Sequence, residues 1–164
     1  MTDRITLLAE RLTALEDRQQ IADLIAGYGP AVDSLDGAGA AAIWDRDGRY
    51  EIGSQWALDG QAQIAGLTEF DQHRGYVEQG VGHVLSPHKI TVTGDRATAH
   101  GYSMVVLKDP AGGWRIDRLS ANRWVFERTA EGWRARSRRA ELLDGQAAAQ
   151  ALLGWSQEKD IADD

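Results

Sequence analysis

The amino-acid sequence predicts an α+β domain whose long antiparallel strands curl around helices into a cone with a pocket inside. Three observations carry this. Ile5, Leu8, Leu12 and Leu15, and then Ile21, Ile25, Tyr28, Val32 and Leu35, recur at helical spacing. From Val81 onward the period changes to that of strands, with turn signals at Gly94-Asp95, Gly112-Gly113 and Gly132. Helices and strands are therefore segregated along the chain, which is the α+β pattern rather than the alternating one.

The first apolar stripe ends at Asp17, where the first helix runs on or hinges. It is too short for a free coiled coil, so it packs on its own domain or on a neighbouring subunit. Residues 21–36 read as the central helix. Beside its main stripe, Ala22, Ala26, Gly29 and Asp33 form a second one, and the two make a broad core-facing arc. Asp17, Arg18 and Asp23 lie off that arc. Asp33 lies within it, next to small residues. A carboxylate there is costly unless paired, although capping the helix end is an equally good reading. Pro30 should kink this helix. Residues 38–44 read as a short helix, 45–48 as a turn, 49–52 as a short strand, 59–70 as another helix and 71–80 as a polar loop.

The strand half follows. Residues 81–93 form a long strand interrupted at Ser86-Pro87, where proline demands an edge or a bulge. Residues 96–108, 114–128 and 133–143 form three more, and 146–155 have helical composition before an acidic tail at 158–164. The expected organisation is one domain over 1–145 with an N-terminal helical extension, then a C-terminal helix and tail over 146–164.

Composition narrows the function. The chain has 164 residues, 43% hydrophobic and 26% charged, enough to bury a core. A net charge of −7 argues against nucleic acid as a partner. The absence of cysteine excludes disulfides, thiolate nucleophiles and Cys-ligated zinc. No apolar run has the length of a membrane span and no signal-peptide h-region opens the chain, so no membrane partner is expected and a cytoplasmic location is the default.

Among four histidines, none has metal-motif spacing, and no metal is expected. His83 stands near the start of the long strand at 81–93, on the same parity as Val81 and Leu85, with Gly80 and Gly82 beside it, which allow another backbone or a ligand to approach closely. A lone strand histidine is more often structural; a carboxylate partner from elsewhere would raise it. On the strand at 114–128, Trp114, Ile116, Arg118, Ser120, Asn122, Trp124 and Phe126 share one face by alternation. An apolar face bearing a few convergent polar groups is how small-molecule pockets are built. The opposite face, with Leu119, Ala121 and Val125, is the alternative core. Of Arg134, Arg136, Arg138 and Arg139, one can reach a pocket, but alternation does not say which.

Taken in order, Tyr28 to Asp33, Ile43-Trp44, Gly82-His83-Val84, Ser120-Ala121-Asn122-Arg123-Trp124, Gly132-Trp133 and Leu142-Leu143-Asp144-Gly145 resemble the SnoaL-like branch of the nuclear-transport-factor-2-like superfamily. Within it the chain is most similar to the dehydratase group of scytalone dehydratase, bile-acid 7α-dehydratase and hexachlorocyclohexane dehydrochlorinase. The resemblance implies a cone-shaped α+β barrel, a curved, mostly antiparallel sheet wrapped around about three helices. It implies a cofactor-free Asp-His dyad, here Asp33 and His83, with Tyr28 contacting substrate oxygen and Ser120 and Asn122 as a pocket pair. Trp44 and Tyr50 join Arg118 as expected substrate contacts. Pro30, and Val32 where scytalone dehydratase has a tyrosine, depart from that group.

The expectation is a lyase that eliminates water, or an equivalent group, from a small hydrophobic and cyclic substrate. His83 is its base, oriented by Asp33. An isomerase or polyketide cyclase with Asp33 as sole base, and a non-catalytic binding or scaffold subunit, are the alternatives. The resemblance implies a homo-oligomer, trimer ahead of dimer, covering Tyr102, Val106, Leu119 and Val125.

Overall fold

The computed structural model describes residues 2–54 and 56–154. The expected acidic tail, and Trp155 at the end of the expected last helix, lie outside the described residues. Among the described residues five α-helices, α1 (Thr2–Asp33), α2 (Gly37–Ala41), α3 (Gly60–Gly66), α4 (Asp71–Gln79) and α5 (Ala147–Leu153), accompany seven strands. These are β1 (Trp44–Ile52), β2 (Trp56–Asp59), β3 (Val81–Leu85), β4 (Lys89–Thr93), β5 (Arg96–Lys108), β6 (Trp114–Thr129) and β7 (Gly132–Leu142). They form one curved, open sheet in the order β2-β1-β7-β6-β5-β3, with β4 also on β5. Only β1 and β7 run parallel, so the sheet is mixed but mostly antiparallel. Among the described residues no helix is long and apolar enough to cross a membrane.

The two expected N-terminal helices are one. α1 runs unbroken for 32 residues through Pro30, whose ring faces out. Its C-terminal half packs Ile21, Ile25, Tyr28 and Val32 into the core, as the main stripe predicts. Its first half does not pack on the domain: residues 3–16 are exposed throughout, Ile5, Leu8, Leu12 and Leu15 included. The changeover comes at Asp17, which is buried rather than off the arc. Its carboxylate accepts two N–H groups of Arg128, at 2.8 and 2.7 Å, and the Trp133 indole N–H at 3.0 Å. The hydrogen bonds from Arg128 hold this carboxyl below the usual carboxylate range.

Other boundaries move for local reasons. The short helix ends at Ala41, and Trp44 opens a strand. The turn signal at residues 45–48 instead marks a bulge in β1, since pairing with β7 shifts between Trp44 and Arg49. β2 was not expected. The polar loop at 71–80 is the helix α4, closed by Gly80 at φ 99°. The long strand at 81–93 divides at Ser86-Pro87 into β3 and β4, both pairing with β5. Where they divide, the His88 ring lies against Gly101, 2.8 Å from where a Cβ would stand. α5 covers part of the outer sheet face, with Ala149 and Leu152 on Ala121 and the His100 ring bonded to the Leu152 carbonyl at 2.6 Å.

The core inside the curve is aromatic. Trp44, Trp124 and Phe126 are fully buried, and Tyr28 and Tyr50 pack against Trp44. Each buried tryptophan removes enough apolar surface to stabilise the fold by about 4–6 kcal/mol before conformational entropy is counted.

Burial, with Arg138 and His100 nearby, pulls the His88 imidazole from 6.5 down to about 4. The folded protein therefore binds fewer protons there than the unfolded chain does. That contribution to stability is complete above pH 6.5 and is lost as pH falls towards 4. Urea unfolding followed across this window should show a loss of up to about 3 kcal/mol that His88→Gln removes.

Candidate active site

A cavity of about 500 Å³ opens inside the cone, between the end of α1, the segment from α3 to α4, and strands β1, β3, β5, β6 and β7. Its wall includes Tyr28, Tyr50, His73, His83, Arg118, Ser120 and Arg138, set among apolar groups such as Trp56, Phe70, Leu85 and Val105. This is the size and character of a small-molecule site.

Asp33 and His83, 50 residues apart, meet at its edge. His83 Nδ1 lies 2.5 Å from Asp33 Oδ1, and the His83 backbone N–H donates to Asp33 Oδ2 at 2.8 Å. Both carboxylate oxygens are thus engaged by one residue. An ionised carboxylate accepts, so Nδ1 carries a proton, and in the neutral imidazole the lone pair is on Nε2. Nε2 has no partner among the described residues, and His83 lines the cavity. The close approach that makes this pair is not at Gly82, where a side chain would meet nothing within 4 Å. It is at Gly29 on α1, where a Cβ would stand 2.0 Å from the His83 carbonyl oxygen. Glycine is required there by contact, not by backbone conformation.

His73, on α4 rather than in the expected loop, stands beside this pair. Its ring centre is 5.5 Å from that of His83. Its Nε2–H donates to the Val32 carbonyl at 2.8 Å, tying α4 to the last turn of α1. Recognising α4 as a helix was the missing signal.

The inner end of the cavity is built around Arg138. Its guanidinium carbon lies 4.4 Å from the ring centre of Tyr28 and 4.6 Å from those of Tyr50 and Trp124. Its Nε and Nη2 both donate to Asn122 Oδ1, at 2.9 and 2.8 Å, while Nη1 is buried without a partner. Strict alternation from buried Trp133 would have turned Arg139 inward. A bulge places Phe126 opposite Ala135 but Val125 opposite Ser137, and the extra residue, Arg136, brings Arg138 in instead.

Two expected substrate contacts are corrected. Asn122 is fully buried and does not line the cavity; its amide holds Arg138 on one side and donates to Ser103 Oγ at 2.8 Å on the other. Trp44 is also fully buried and supports Tyr28, Tyr50 and Trp124 from behind. Tyr28, Tyr50, Ser120 and Arg118 do reach the wall. Trp114 and Ile116 are exposed, because a bulge at Asp117 breaks the alternation that put them on the pocket face. Burial first, and then the neighbouring Tyr50 hydroxyl, push the Tyr28 phenol far above its ordinary value, so it stays protonated and able to donate. Among the described residues no three of His, Asp and Glu gather as a metal-ligand set.

A SnoaL-like domain is matched over residues 13–139. The chain is 46% identical to an NTF2-like protein with a cystatin-like fold from Novosphingobium aromaticivorans, covering 90% of this chain and 96% of that one, with a TM-score of 0.88. A Mycobacterium tuberculosis protein of unknown function is 23% identical, over 90% of this chain and 88% of its own, with a TM-score of 0.69. An NTF2-like superfamily protein from Salmonella enterica serovar Typhimurium is 16% identical, over 79% and 92%, with a TM-score of 0.66. These last two show the fold alone. No curated protein matches the sequence.

Asn122→Ala would leave two Arg138 donors buried and unbonded. Loss of about 3 kcal/mol in urea-measured stability is expected, by the usual cost of stranding a buried charged donor.

Proposed function

The chain belongs to the SnoaL-like domain family of the NTF2-like superfamily, and from that premise we propose that it is a cofactor-independent lyase acting on a small hydrophobic, ring-bearing substrate. The observation that carries the reading is the doubly bonded Asp33–His83 pair, with the unpartnered imidazole nitrogen on a largely apolar cavity.

His83 Nε2 takes a proton from a substrate carbon next to an activating carbonyl. The electrons of that C–H bond become the new double bond, and the C–O bond to the departing hydroxyl breaks. The hydroxyl takes back the proton held by His83 and leaves as water. Asp33 stabilises the imidazolium that exists between those transfers. Tyr28 and the free Nη1 of Arg138 donate to the oxygen on which charge builds up. Tyr28 is a donor rather than an acid here, because its burial keeps the phenol protonated. Tyr50 and Ser120 complete the polar lining.

The test is a double-mutant cycle on a panel of cyclic β-hydroxy ketones. His83→Ala and Asp33→Asn should each lower kcat by about 10²–10⁴, and the double variant should be little worse than the poorer single. Urea midpoints measured alongside separate lost chemistry from lost folding. Turnover retained in both folded variants would sink the dyad, and no turnover by the parent chain on the panel would favour the binding-subunit reading.

The same reading includes a homo-oligomer. Tyr102 and Leu119 remain exposed on the outer sheet face, and Val106 and Val125 are only partly covered. Together with the bare apolar stripe of α1, this surface favours cover by a second copy. Sedimentation equilibrium at micromolar protein should give a multiple of the 18.0 kDa chain, three ahead of two; a monomer contradicts this.

A further inference from the structure

The chain carries 25 acidic side chains against 18 basic ones. Yet among the described residues the wall of the cavity holds two arginines, Arg118 and Arg138, and no aspartate or glutamate. Two carboxylates stand beside it and both are engaged, Asp33 by His83 and Asp117 by Arg115 and the Tyr76 hydroxyl. An acidic protein has thus kept its substrate cavity electropositive.

Arg118 differs from most of the strand arginines. Arg49, Arg96, Arg115, Arg128, Arg136 and Arg139 all reach carboxylates. Arg118 is half-buried on the cavity wall, with no hydrogen-bond or ion-pair partner among the described residues. Its sequence neighbour Asp117 is already used, by Arg115 at 2.7 Å and by the Tyr76 hydroxyl at 3.4 Å. A guanidinium partly withdrawn from water and left unpaired is poised to gain a charge-assisted bond from whatever enters.

We propose that the substrate of this cavity is a ring-bearing carboxylate, anchored by its carboxylate on Arg118 with its reacting end at Arg138. The inference rests on the reading of the cavity as the substrate site. The two arginines are built for different tasks. Arg138 is clamped by three rings and Asn122, and offers one donor, Nη1, suited to a single oxygen. Arg118 is unclamped and offers its whole fork, whose planar geometry matches a carboxylate in two parallel bonds. Between these ends the wall is apolar, with Trp56, Phe70, Leu85 and Val105 available to a ring.

The experiment is calorimetric titration of the full chain with matched pairs: benzoate against benzamide, and cyclohexanecarboxylate against its amide. In low salt each acid should bind at least about ten-fold tighter than its amide, and added salt should narrow the gap. Arg118→Gln should weaken the acids by about ten-fold and leave the amides unchanged, while Arg118→Lys should keep part of the preference. Since Arg118 has no partner among the described residues, its variants should retain the parent urea midpoint. Equal binding of acid and amide, a preference that survives Arg118→Gln, or no saturable binding of any acid up to about 10 mM would each overturn the proposal. Repeating the titration in His83→Ala separates this from the chemistry. The acid preference should persist there, so failure of the elimination reading and failure of the anion site give different results.

Discussion

Arg138 is 2% exposed, and among the described residues no carboxylate pairs with it. Burying a cation in that way is expensive, and the surroundings show how the cost is met. Three ring faces lie within 4.6 Å of the guanidinium carbon, and the Asn122 carbonyl takes two of its donors. Cation–ring contacts out of water contribute about 2 kcal/mol or more each. The rings are themselves positioned by Trp44 behind them, so aromatic core and cavity wall are one construction. Removing a core ring therefore alters the polar end of the cavity as well as the packing.

The other end of the site depends on how near one helix comes to one strand. α1 passes β3 closely enough that only a glycine fits at position 29. That approach lets Asp33 reach both the backbone and the ring of His83. His73 adds a bond from α4 to the carbonyl just before Asp33. The carboxylate is thus held by β3, and the backbone just before it by α4. Far from the cavity, Asp17 fixes the same helix to the β6–β7 end of the sheet through Arg128 and Trp133. α1 is thus anchored at two carboxylates, one structural and one at the site.

The fold class was legible because it rests on periodicity. Apolar spacing along α1 and the change of period at Val81 are properties of the sequence itself, and β5, β6 and β7 follow from alternation and their Gly-containing turns. So was the suspicion about Asp33: a carboxylate among core-facing small residues needs a partner, and a resemblance supplied His83. What alternation could not carry was anything beyond a bulge. One extra residue at Asp117 turned Trp114 and Ile116 outward, and one at Arg136 exchanged Arg139 for Arg138.

The sequence by itself determined that helices precede a large antiparallel sheet, and, with a resemblance, put forward Asp33, His83, Tyr28, Ser120, Asn122, Tyr50 and Arg118 as the polar groups of a pocket. Tertiary structure decided which arginine enters the core, that Asn122 serves that arginine and not the cavity, and that α4 is a helix bringing His73 beside His83. The physical reason is one of range. Side-chain period is fixed by local backbone geometry, whereas register, bulges and the fit of a guanidinium among rings are set by contacts between strands far apart in the chain.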